Sequence, residues 1–149
     1  MVTFSTETRS LTLFLLAQVC GVALAQAQSP NISGTWNVEI SFTAGGQHSL
    51  RFDAQPDGKG IFVLMDPIAK AWGETKPSDA TWTRGEANSL TFSGPMEFPL
   101  GNVGRDAGTL TFQGRFETSD LIVGKVEFSP LVGQRPSKPG TFRAVRVNN

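Results

Sequence analysis

The chain has one histidine, so any imidazole chemistry it performs belongs to His48. In HSLRFDA, His48 shares the parity of Leu50 and Phe52 and turns to the same side as those apolar residues. At the mouth of a cavity it can act as a hydrogen-bond partner or a haem-type ligand; otherwise it is a half-exposed strand residue. One histidine and one cysteine, Cys20, cannot supply the several ligands of a His/Cys metal site. No serine has a Gly-x-Ser-x-Gly setting. Two acids, Glu97 and Asp106, share the stretch GPMEFPLGNVGRDA, which reads as a loop. Paired carboxylates can cleave glycosides, but the stretch leaves their separation open. Solvated surface charge is the general expectation for such groups. Trp72, in the polar stretch PIAKAWGETKPSDA, could cap a pocket, touch a partner or fold back over the wall of the domain. These residues point to no cofactor, no metal and no enzyme.

The elements that must position them begin after a leader. MVTFSTETRSLTLFLLAQVCGVALAQAQ has a weakly positive start at Arg9, an apolar run from Leu11 and small residues at Ala23-Leu24-Ala25. It reads as a signal peptide, residues 1–25, with cleavage after Ala25 or, alternatively, after Ala27. An uncleaved anchor is the other reading, although the run falls short of the roughly 20 apolar residues that span a bilayer. Ala17-Gln18-Val19 before Cys20 lacks the small residue of a lipobox. Removal of the leader would leave residues 26–149 as one secreted or periplasmic domain without cysteine, dependent on its core alone. Asn31-Ile32-Ser33 matches a glycosylation acceptor, meaningful only in a eukaryotic secretory host.

Thirteen basic residues balance thirteen acidic ones, which argues against a nucleic-acid partner and against an anionic-lipid patch. Eleven phenylalanines and no tyrosine favour apolar filling over a hydrogen-bonding surface. No stretch after the leader keeps a helical period. From Trp36 the apolar residues Trp36, Val38, Ile40 and Phe42 fall on alternate positions, and about seven similar segments follow between turn clusters. Eight antiparallel strands can close on themselves, so an all-β up-and-down barrel is expected, with a β-sandwich as the alternative. In a meander the connections 56–60, 85–88 and 117–120 are short and lie beside the termini. Those at 43–47, 67–79, 94–107 and 129–140 gather at the opposite end, and three of these four are long. Long loops are where such scaffolds carry function, although added loop length is also cheaply tolerated.

Gly34-Thr35-Trp36 resembles the G-x-W opening of the calycin barrels, the lipocalins and avidin-like proteins. The resemblance implies that Trp36 sits in the closed end of the barrel under an arginine from the last strand. Arg146 is the candidate, with Arg143 the competitor if the register slips by one. The chain departs from the lipocalins in lacking a tyrosine and a helix after the last strand. It departs from the avidin-like proteins in lacking alignable biotin-binding residues. SGTW at the start and GTF-x-A-x-R at the end are closest in style to small exported bacterial domains.

Three functions follow as expectations. The first is a non-enzymatic barrel that binds a small apolar molecule at its long-loop end through Phe42, His48, Leu50, Met65, Trp72, Phe98 and Phe128. The second is a solid barrel serving as an envelope or protein-interaction module, with no stable membrane insertion. The third is an enzyme working within a cavity.

Overall fold

A computed structural model describes residues 28–67 and 73–148. The expected leader, its cleavage site, Cys20 and Trp72 lie outside the described residues. Eight strands form a closed antiparallel barrel in which every strand pairs with its neighbours in sequence. They are β1 (Gly34–Phe42), β2 (Gln47–Ala54), β3 (Lys59–Leu64), β4 (Ser78–Arg84), β5 (Ser89–Leu100), β6 (Gly104–Thr118), β7 (Leu121–Pro130) and β8 (Lys138–Arg146). No helix among the described residues is long and apolar enough to cross a membrane.

Alternation sets the faces. In β1, Trp36, Val38, Ile40 and Phe42 are buried while Asn37, Glu39 and Ser41 are not fully covered. β1 then pairs with β8 in the register Trp36↔Arg146 to Phe42↔Gly140, which joins the two ends of the chain and removes both sheet edges.

The interior is solid. Phe52, Phe92 and Phe112 form a near-parallel stack, with centroids 4.7 and 4.4 Å apart, and Phe62 and Phe142 meet it edge-on. Rings of this size fit because glycines face inward beside them. A Cβ on Gly108 would meet the Phe128 ring at 2.5 Å, and one on Gly114 would meet Phe142 at 2.6 Å. Large and small side chains combine to fill the barrel, as expected of one closed by eight strands. An apolar ligand held deep inside finds no room.

One expected loop is a hairpin. The stretch 94–107, read above as irregular, completes β5 and opens β6, and only 101–103 turn. β4 pairs with β5 only up to Thr81↔Ser93, and β7 pairs with β6 only from Gly108↔Pro130. The outer half of this hairpin therefore extends beyond the closed barrel. Of the four connections at this end, those before β4 and before β8 remain long.

Candidate functional site

At the closed end the Arg146 guanidinium lies 4.3 Å from the centroid of the Trp36 ring system. It also donates to the carbonyl oxygens of Asn31, Ser33 and Ser119 and to the Asp120 carboxylate. The Trp36 indole N–H donates to the Ile32 carbonyl at 2.7 Å, and the Ile32 side chain is buried. Arg84 closes the remaining side, over Phe116 and bonded to the Pro30 carbonyl. These bonds tie the N-terminal segment to β1, β4 and β8, and the β6–β7 turn to β8. This end is a plug.

The opposite rim is different. Phe42, His48, Phe98 and Phe128, four of the residues expected to meet a ligand, come together in the mouth. Phe98 reaches across from β5 to lie 4.1 Å from the His48 ring, and its ring meets Phe128 edge-on at 5.2 Å. Phe42 touches His48, Phe98 and Phe128 at centroid distances of 5.7, 6.2 and 6.5 Å. The cluster floors the mouth rather than lining an open cavity. Leu50 lies below it in the sealed core, and Met65, just past β3, is half exposed.

Polar groups stand on both sides of this floor. His48 Nδ1 donates to Asp66 Oδ2 at 2.6 Å, because an ionised carboxylate can only accept. The other Asp66 oxygen accepts the Ser49 backbone N–H at 2.7 Å, so the carboxylate orients the imidazole and is itself oriented. Asp66 comes just after β3 and 18 residues beyond His48, and a lone aspartate in a polar stretch carries no sign of that partnership.

Across the mouth, Asp106 is only 2% exposed, and it belongs to β6 rather than to a loop. It is a buried carboxylate, not the solvated surface charge expected from its neighbours. Burial by itself would raise its pKa. Hydrogen bonds from Lys138 at 2.8 Å and Arg135 at 2.7 Å, with their positive charges, outweigh that and hold it below the usual carboxylate value. Lys138 also lies 5.7 Å over the Phe128 ring. Glu97 is on the outer face, paired with Arg105 at 2.9 Å. The two acids therefore do not form a catalytic pair, and no group of three or more His, Cys, Asp or Glu among the described residues could hold a metal.

Beside the floor, between β3, the segment 73–77 and the β5–β6 hairpin, is a recess of about 310 Å3. Leu64, Pro95, Met96 and Leu131 give it apolar walls, while Glu74, Lys76 and Arg105 are among its polar ones. Its size is at the small end of the roughly 300–1,000 Å3 usual for ligand sites. All five large hydrophobic side chains that are exposed among the described residues, Met65, Leu100, Val103, Leu131 and Val132, lie at this end. The alternation pattern could not reveal the recess, because it depends on where β4 stops pairing with β5.

No family model matches the chain, and no curated protein matches its sequence. Among solved structures, the chain is similar to a redesigned β-barrel with a TM-score of 0.44 at 13% identity, over 78% of this chain and 91% of that one.

Proposed function

We propose that the protein is an exported, non-enzymatic, calycin-like barrel that holds a small apolar molecule at its open rim. The observation that carries this reading is the recess of about 310 Å3 at the mouth, beside an interior filled by stacked rings. Leu64, Met96 and Leu131 offer it apolar contact, and its polar walls would orient the ligand. The Trp36–Arg146 plug at the other end accords with the calycin-like reading. Leu131 is 68% exposed, so changing it does not disturb packing. Leu131→Asp is expected to weaken binding of a hydrophobic fluorescent probe about tenfold, the equivalent of losing one buried aliphatic contact. A natively folded wild-type protein that binds no probe and carries no small molecule in native mass spectrometry overturns the reading.

A second reading is favoured by the exposed tips. Leu100 and Val103 on the hairpin and Leu131 and Val132 on the neighbouring loop form an apolar rim of the kind that meets a protein partner. On that reading a double Val103→Asp, Val132→Asp variant loses a pull-down partner while probe binding is retained.

A further inference from the structure

The pairing of β4 with β5 ends at Thr81↔Ser93, yet β5 runs on to Leu100. The Trp82 N–H donates to the Gly58 carbonyl on the β3 side, so the backbone groups of Thr81 and Thr83 face β5. Ser93 answers Thr81, and by alternation Pro95, Glu97 and Pro99 turn their backbone groups to that same side. No strand among the described residues pairs with β5 there beyond Ser93. The bare stretch presents the carbonyls of Pro95, Glu97 and Pro99 but only the Glu97 N–H, because proline has none. The recess of about 310 Å3 adjoins it: Pro95, Met96 and Glu97 are among the walls, with Leu64, Ser78 and Leu131.

We propose that the outer half of β5 is a docking edge for an extended peptide segment of a partner, which adds to the barrel as a short antiparallel strand. A row of carbonyls with a single N–H is electronegative, and its complement is a row of amide donors. A strand without proline supplies that row, and a second copy of this chain does not. Copies paired about Glu97 would set Pro95 against Pro99 and leave those carbonyls without donors. On the added strand, the residue opposite Glu97 exchanges both backbone bonds with it, and those opposite Pro95 and Pro99 donate one each. Residues opposite the buried Met96 and Phe98 share their face and turn into the mouth. The one opposite Met96 enters the recess, whose walls include Leu64 and Leu131. Main-chain bonds then give affinity, and the recess selects an aliphatic side chain. The proposal rests on the recess admitting an apolar group, as the rim reading requires, and adds a backbone edge that a small apolar molecule would not use.

The probe is the blocked peptide Thr-Leu-Thr-Leu-Thr, titrated into the full-length protein and followed by NMR. Its threonine N–H groups would face Pro99, Glu97 and Pro95, and its leucines the mouth. The Glu97 amide is expected to shift and to gain protection from hydrogen exchange. N-methylation of the central threonine should weaken binding about tenfold, the worth of one net hydrogen bond, whereas N-methylation of either leucine should change little. Equal affinity of all the methylated peptides overturns the edge and leaves the recess as a site for apolar groups alone. Failure of the peptide to bind, when a hydrophobic fluorescent probe still does, overturns the proposal and leaves the rim reading intact. Failure of both removes both. A Glu97 amide already protected without peptide, in a protein whose mass rises with concentration, assigns the edge to a second copy and also overturns the proposal.

Discussion

Arg146 shows how much one side chain can do at the end of a strand. Its guanidinium packs on Trp36, bonds three carbonyls and pairs with Asp120. Arg146→Ala should destabilise the fold by about 2–4 kcal/mol, adding a cation–π contact to charge-assisted hydrogen bonds, as read from the urea midpoint. Arg146→Lys restores only part of this, because an ammonium has no planar fork to divide among several acceptors. Asp106 makes a second prediction, in pH. Its pKa is lowered in the folded state, so the stability it contributes is complete well above its ordinary value of 3.8. That contribution is lost as the pH falls below 3.8 through the folded value. Asp106→Asn should therefore flatten the acid limb of the stability profile and cost about 1–3 kcal/mol at neutral pH. An acid limb unchanged by the substitution would show that the carboxylate is not tied down. Parity and the G-x-W opening made the Trp36–Arg146 contact readable in advance. The Asp66–His48 and Asp106–Arg135 pairs were not readable, because Asp66 and Arg135 lie in the connections after β3 and β7, where no strand parity fixes which way a side chain turns.

The β5–β6 hairpin is the element whose residue types misled. Glycine and proline usually punctuate loops, and GPMEFPLGNVGRDA has both in quantity. Here Gly94 faces the barrel interior, Gly101 takes the positive φ of the tight turn, and the prolines lie on an open edge. The Ala107 carbonyl accepts from Leu131 on the β7 side, so Ala107 and its partner Glu97 do not bond each other. Glu97 must then turn its backbone groups to the side that β4 leaves bare, and Pro95 and Pro99 share its parity. Proline cannot donate, so this edge offers a neighbouring strand a single N–H, that of Glu97. Pro95→Val with Pro99→Val restores two donors and should promote self-association, visible as a concentration-dependent mass in light scattering. Gly108→Ala tests the inward glycines. The added methyl would meet the Phe128 ring and the Ser129 carbonyl, both at 2.5 Å, and should destabilise by about 1–3 kcal/mol.

At the scale of the whole molecule, the stacked Phe52, Phe92 and Phe112 rings make the barrel a packed core rather than a vessel. Phe92 touches four other phenylalanines, and Phe92→Ala should cost about 3–5 kcal/mol in chemical unfolding. The space it leaves would be lined by rings, and such a cavity stays dry and takes up benzene. Uptake by the variant and not by the wild type would place all native binding at the rim. The sequence by itself determined the eight-stranded barrel, the inward side chains outside the β5–β6 hairpin and the pairing of its two ends. Alternation and register are local rules, and closure follows once both edges have an apolar partner face. Only the tertiary structure decided that phenylalanines consume the interior and that Asp106 is buried. It alone also decided that Asp66 aims the one histidine and that a recess opens where β4 parts from β5. Each of these depends on side chains meeting across the barrel, and no spacing along a single strand encodes such a meeting.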